Sequence, residues 1–243
     1  MRVWVVFAQT FVIANGRCIK HNEMISISDQ QKTKIDNLNP LADSKFKYNK
    51  SRWSDLNADF KDVIQDFEDK EITKLDVIDA YKNYFADNKI GFMKAFLLTM
   101  VWGFADTGYG THRTNKYILT EENRVKIKTA LDFINENNQG SLKNAFKELT
   151  KINGLGISYL TKILYFATRA KNIDKYALIF DIRVAAALIK LTTPKEIYEI
   201  VNIGPSSKFI DYQKYNGLIH KLALDNNVEP DQLEMFLFNQ DFE

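Results

Sequence analysis

Beyond the first thirty residues, apolar positions recur three and four apart along most of the chain, the spacing of amphipathic helices. SRWSDLNADFKDVIQDF (51–67) and TKLDVIDAYKNYFADN (73–88) both carry it, with Ser51 or Ser54 as a cap for the first and a start near Thr73 for the second. IGFMKAFLLTMVWGF (90–104) is apolar nearly all round, which predicts a central buried helix. ADTGYGTHRTNKYIL (105–119) breaks the pattern with two glycines and predicts a loop. Helical spacing resumes in TEENRVKIKTALDFINENN (120–138), framed by Thr120 and Asn123, and in SLKNAFKELTKI (141–152) and SYLTKILYFATRA (158–170). DIRVAAALIKL (181–191), TPKEIYEIVN (193–202), PSSKFIDYQKYNGLIHKLALDN (205–226) and EPDQLEMFLF (229–238) complete the series. Pro194, Gly204-Pro205 and Pro230 punctuate the boundaries, and about nine or ten helices are expected.

The opening MRVWVVFAQTFVIANG patterns differently. Alternating Val and Phe ahead of Asn15-Gly16 predicts a short strand or hairpin. Arg2 before an apolar run would also suit a secretion signal, but Gln9 and Thr10 interrupt the run and no small-residue cleavage site follows. The expected fold class is mainly α with a short N-terminal extended segment.

Composition narrows the chemistry. Hydrophobic residues make up 45% of the 243, too many for disorder over most of the chain and enough for substantial cores. A lone cysteine, Cys18, excludes an internal disulfide, a multi-thiolate zinc site and an iron–sulfur cluster. His21, His112 and His220 are scattered without ligand spacing, so no metal and no cofactor are expected. No run is long enough to span a bilayer, and an intracellular, cytoplasmic protein with no membrane partner is expected. The net charge of +2 is unevenly placed: residues 113–175 carry twelve basic and six acidic side chains, whereas 176–243 carry six and ten. A positive excess confined to one segment suits a polyanion partner, although a solvated lysine face has the same composition.

The basic segment contains LTKINGLGISYLTKILYFA (149–167), in which Gly154-Leu155-Gly156 joins two helical stretches. Glycine permits positive φ and close backbone approach, so a tight hairpin is expected, with Leu155 tucked inward. N–H groups of the turn and of the next helix's first turn would face outward, where a phosphate accepts from them and the helix dipole favours its charge. Lys151, Lys162 and Arg169 flank the turn. Taken alone, the same residues describe an ordinary helix-to-helix turn with a glycine C-cap. ALIFDIRVAAALIKL supplies a second element, a hydrophobic run ending at Asp181, 27 residues beyond Gly154 and directly before a helix. Asp181 suits an N-cap, and its position favours a negative charge there.

Together, INGLGISYLTKIL and LIFDIRVAA resemble the paired hairpin and aspartate segments of the helix-hairpin-helix DNA glycosylase superfamily, over residues 145–190. WGFADTGYGTHRTNKYI and the ending LEMFLF are similar to bacterial relatives of 8-oxoguanine DNA glycosylases. The resemblance implies a helix-hairpin-helix glycosylase-like domain over 51–243, with two helical lobes and the hairpin at 145–170, after an extended or irregular segment at 1–50. It implies duplex DNA as the partner, and a monomer in a bacterial cytoplasm is the expectation. Gly154, Leu155, Gly156, Ser158, Lys162, Arg113 and Lys151 are the expected DNA contacts, and Asp181 the catalytic residue. Damage repair and attack on phage DNA bearing modified bases would use the same chemistry.

Bifunctional members of that superfamily place a lysine at the start of the helix after the hairpin, where it attacks the sugar C1′ as a Schiff-base nucleophile. Ser158 stands at that position, as in adenine-type monofunctional members, and a hydroxyl forms no imine. The departure argues for release of the base by water, without strand cleavage through the family lysine. Lys162 lies one turn further on the same face as Ser158; as a rescue nucleophile it would sit about 6 Å along the axis at ~1.5 Å per residue, which favours reading it as a phosphate contact or a solvated lysine. Asp181 then carries the mechanism, because glycosidic cleavage builds positive charge on the deoxyribose and an adjacent carboxylate stabilises it and orients water.

A flipped base needs aromatic faces and polar discriminators. Trp102, Phe104, Tyr109, His112, Arg113 and Lys116 fall on one glycine-rich stretch and are candidates for a base pocket or a DNA-intercalating edge. As a packing loop, the same stretch would place its aromatics in the core. Asp106 is a candidate second acid, and Tyr212 and Tyr215 share a helix face that either closes the pocket or lies in the core. Two rival functions stand beside the enzyme: a DNA binder that kept the hairpin and lost catalysis, and a helical interaction protein with no nucleic-acid role.

Overall fold

The computed structural model describes residues 27–68, 70–86, 91–105, 107–192 and 208–240, together with the backbone of 11–14 and 17–20. Among these residues helix dominates, and strand is confined to two small antiparallel pairs. β1 (Phe11–Ala14) pairs with β2 (Arg17–Lys20), Ala14 opposite Arg17, which is the expected N-terminal hairpin; Asn15 and Gly16 lie outside the described residues. The segment 1–50 is not extended throughout, however. α1 (Asp29–Asp36) forms behind a capping box between Ser28 and Gln31, and α2 (Pro40–Asp43) is a single turn opened by Pro40. β3 (Lys45–Lys47) then pairs with β4 (Glu71–Thr73).

Residues 51–67, expected as one amphipathic helix, break into three short turns. These are a 3-10 turn at Lys50–Trp53, α3 (Ala58–Lys61) and a 3-10 turn at Gln65–Phe67. Asn49 and Asn57 account for the breaks, since each side chain accepts from the N–H two residues on, at Ser51 and Asp59, and restarts the chain. Trp53, Leu56 and Ile64 are nevertheless buried, so here the apolar spacing marks burial rather than helix.

The centre is built from α4 (Lys74–Ala86), α5 (Met93–Phe104) and α9 (Ile157–Ala170), which pack on one another. α5 is buried nearly all round, as its sequence requires, with Phe96, Leu97 and Leu98 wholly inaccessible. α6 (Gly110–Ile118) corrects the expectation of a loop over 105–119. Gly110 opens it because a Cβ there would lie 2.9 Å from Phe104 and 3.0 Å from Trp53; this glycine marks a close approach, not a break. α7 (Glu121–Glu136) starts as expected, the Thr120 hydroxyl accepting from the Asn123 N–H, and packs along α8 (Ser141–Thr150). α10 (Ile182–Thr192), α11 (Phe209–Asn226) and α12 (Pro230–Asn239) follow, with α12 against α1, α10 and α11. The helix expected at 193–202 and the Gly204-Pro205 boundary lie outside the described residues. The fold is mainly α.

Candidate active site

The turn between α8 and α9 assigns its two glycines different tasks. Gly154 has φ +85°, a left-handed conformation that costs other residues about 1–2 kcal/mol. Gly156 is the N-cap of α9 at φ −69° and ψ 160°, which any residue adopts, and a Cβ there would meet nothing within 4 Å. The turn itself therefore requires glycine only at 154. Leu155 is tucked inward as expected. Gly156 has no side chain to cap α9, and among the described residues no side chain accepts from the first N–H groups of that helix.

α6 brings cations to this turn. The Tyr117 hydroxyl donates to Gly154 O at 3.0 Å, and Lys116 Nζ lies 3.5 Å from where a Gly154 Cβ would stand. Arg113 and Lys116 are exposed and form no ion pair among the described residues, and the Arg113 charge bears on the hydroxyls of Tyr117 and Tyr159. Lys151 is exposed and pairs with Glu148. Arg169, a flanking residue in sequence, points elsewhere, pairing with Asp231 at 3.4 Å and covering the Tyr176 ring.

Asp181 follows an extended stretch, buried over 176–180, that lies in no sheet. Buried backbone must find partners, and here side chains of other helices supply them. N–H groups of Ala177, Leu178, Ile179 and Phe180 donate to Thr168 Oγ1 (2.9 Å), Asn216 Oδ1 (2.7 Å), Glu234 Oε2 (2.6 Å) and Thr161 Oγ1 (3.0 Å). The carbonyls of Leu178 and Ile179 accept from the hydroxyls of Tyr212 and Tyr215 at 3.0 and 2.8 Å. Tyr212 and Tyr215 are thus core braces. Burial raises Glu234 to about 7, against the lowering pull of Lys74, whose Nζ lies 3.8 Å away.

At the end of that stretch three side chains converge. Asp181 Oδ1 accepts from the Arg183 N–H at 3.1 Å, capping α10, while Oδ2 accepts from the Ser158 hydroxyl at 2.8 Å. Lys162 Nζ donates to Ser158 Oγ at 2.7 Å and stands 3.9 Å from Asp181 Oδ2. Lysine in a helix leans toward the N-terminus, so four residues of axial rise are cancelled by the length of the side chain. The reading of Lys162 as a solvated side chain is thereby corrected, for the residue is only 8% exposed. Its stem runs past Gly103 of α5, where a Cβ would lie 3.0 Å from Cδ, and its amine is 5.0 Å from the Tyr159 ring centre. Burial lowers the amine to about 8, despite the opposing pull of Asp181 and then Glu234. A fixed carboxylate, a hydroxyl and an amine of weakened proton affinity share one site.

Of the aromatic candidates, Trp102 is buried, donating to Ser44 O at 3.0 Å and meeting Phe166 edge-on, and Phe104 is buried and stacked on Tyr159 at 4.1 Å. Both occupy the core, as the packing alternative has it. Tyr109, 73% exposed, and His112, also exposed, stand at the surface beside α6. Asp106 lies outside the described residues. Sequence reading missed Gly103, Tyr159, Thr161, Asn216 and Glu234, whose roles depend on neighbours distant along the chain.

Among the described residues no His, Cys, Asp and Glu cluster is arranged to hold a metal ion, and no helix is long and apolar enough to cross a membrane. No curated protein and no solved structure matches the chain. The family described as "Putative 8-oxoguanine DNA glycosylase OGG-like protein" matches residues 39–238, a span that holds the hairpin, Ser158, Lys162 and Asp181. With this match over most of its length and a mainly α, helix-hairpin-helix glycosylase-like fold, the chain belongs to the OGG-like DNA glycosylase family.

Proposed function

We propose that the chain extrudes a modified or mispaired base from duplex DNA and hydrolyses its N-glycosidic bond, leaving an abasic site. One observation carries this reading: the Ser158–Asp181 hydrogen bond, which joins the hairpin helix to the extended stretch at a single carboxylate. As the C1′–N bond breaks, its electron pair leaves with the base and positive charge develops on the sugar. Asp181 stabilises that charge, and water adds to C1′ and yields a proton to the carboxylate. Ser158, in the place of the family lysine, forms no imine and instead holds Oδ2, which supports release of the base by water. The hairpin N–H groups with Arg113 and Lys116 suit the phosphates flanking the lesion, and exposed Tyr109 suits the gap left in the stack.

The test is base release from labelled duplexes bearing a panel of oxidised, deaminated, alkylated and hypermodified bases, with Asp181→Asn as control. Release that disappears in the variant supports the reading. Silence across the panel with salt-sensitive duplex binding retained would instead mark a DNA binder without catalysis.

A further inference from the structure

We propose that Glu234 and Lys74, a buried ion pair outside the cluster of Ser158, Asp181 and Lys162, are positioning residues for Asp181, and that the charge on Glu234 sets how firmly that carboxylate is held. The inference takes the role of Asp181 from the glycosylase reading, but the coupling itself requires no DNA and no reaction. Four side chains accept from the main chain of 177–180, and three of them, Thr168, Asn216 and Thr161, present oxygens that do not titrate. Glu234 makes the fourth and shortest contact, 2.6 Å from the Ile179 N–H, and its acceptor strength alone changes with protonation. Ile179 is also the residue that reaches Asp181: its carbonyl accepts from the Asp181 N–H at 3.2 Å and from the Tyr215 hydroxyl at 2.8 Å. Glu234 and Asp181 are thus joined through one residue.

A buried charge pair is costly, and a glutamine would satisfy the Ile179 N–H without one. Glu234 is nevertheless 5% exposed and Lys74 3%, with Nζ 3.8 Å from Glu234 Oε1. That separation exceeds hydrogen-bond length, and the Lys74 amine lies instead 4.6 Å from the Tyr165 ring centre and 5.7 Å from that of Trp102. Lys74 therefore acts on Glu234 through its charge. Burial, the largest influence, favours the neutral carboxyl, as does Asp231, one turn earlier on α12 and itself paired with Arg169. Lys74 leads the opposing influences, followed by the Ile179 N–H and, behind Asp231, Lys162. Arg183 of α10 lies over Phe238, a turn beyond Glu234, and Tyr165, Tyr176, Tyr212 and Tyr215 are all raised by burial and stay neutral. The balance leaves a carboxyl that ionises at about 7. Because the Ile179 N–H helps to hold it ionised, ionisation must in turn tighten the contact with Ile179.

The experiment follows amide hydrogen exchange of the full chain by NMR, without DNA, from about pH 5.5 to about pH 8, with protection corrected for the intrinsic exchange rate. Protection at Ile179 and Asp181 is expected to rise several-fold through about pH 7, relative to Leu97 of α5, which reports global opening. Ionisation of Glu234 lowers global stability, so a rise belongs to the local contact and not to the fold as a whole. Glu234→Gln keeps the acceptor and does not ionise; it is expected to remove the rise. Lys74→Met keeps the stem and loses the charge, and is expected to move the midpoint upward by about one pH unit. A purely structural role would leave that midpoint in place. Flat protection in the parent, or a rise that persists in Glu234→Gln, overturns the proposal, and the parent profile decides even where a variant fails to fold. The expected exchange profile without base release on any lesion would count against the glycosylase reading alone.

Discussion

Ser158 and Asp181 are joined across 2.8 Å, while the second oxygen of the same carboxylate is occupied by the Arg183 N–H. The proposed catalytic group is therefore oriented before DNA arrives, one oxygen by the hairpin helix and the other by its own helix. Such preorganisation spares reorganisation at the moment charge develops on the sugar.

Asp181→Asn is accordingly expected to lower base release by on the order of 10²-fold or more, leaving duplex affinity and its salt dependence nearly unchanged. Single-turnover rates beside salt-titrated binding separate the two effects. Equal loss of both would remove Asp181 from the chemistry and leave it as a helix cap.

The two glycines of the turn predict opposite outcomes. Gly154→Ala is expected to destabilise the fold by about 1 kcal/mol, because φ +85° is strained for alanine. Gly156→Ala meets open space and should melt like the parent, yet bind duplex DNA several-fold more weakly where a phosphate backbone needs close approach. Thermal melts and binding isotherms of the pair, measured together, check both halves.

Gly103→Ala tests the placement of Lys162. Alanine gains about 0.5–1 kcal/mol of helix propensity over glycine, which offsets the contact of its Cβ with the lysine stem at 3.0 Å. Stability near that of the parent, with base release lowered several-fold by displacement of the amine from Ser158, is the expected result. Undiminished release would mean that α5 does not position the stem.

Glu234 gives the stability a definite pH course. Its folded pKa of about 7 lies above the ordinary carboxyl value of 4.5, so between these values the unfolded chain binds fewer protons there and the contribution falls as pH rises. Lys162, lowered to about 8 from 10.5, acts in the opposite sense in a higher window, its contribution rising from about pH 8 to 10.5. Glu234→Gln keeps an acceptor for the Ile179 N–H and is expected to flatten the fall between about pH 4.5 and 7 in chemical-denaturation midpoints. A slope unchanged in the variant would place the titration elsewhere.

Much of the helical order was legible because α4, α5, α7, α8 and α9 each bury a continuous apolar face, and burial is what periodicity reports. Residues 51–67 misled for the same reason: Trp53, Leu56 and Ile64 bury at helical intervals, while Asn49 and Asn57 cut the backbone into separate turns. Gly110 reads as a breaker in the sequence because a one-dimensional pattern does not show that Phe104 and Trp53 crowd the place of its Cβ. At the site, the hairpin and Asp181 are visible as motifs, whereas rise along the axis alone sets Lys162 too far from Ser158, because it leaves out the reach of a four-carbon stem. Glu234 and Asn216 gave no local sign, since their partners lie 55 and 38 residues away in sequence.

The main chain of the extended stretch before Asp181 is held by side chains of Thr161, Thr168, Asn216 and Glu234. Ala177, Leu178 and Ile179 are thus free to drift among apolar residues of similar bulk as lineages diverge. The four side chains that grip the stretch are not, and must be inherited as a set, although they are scattered over three helices. The address of the carboxylate is written in parts of the gene far from the codon that encodes it.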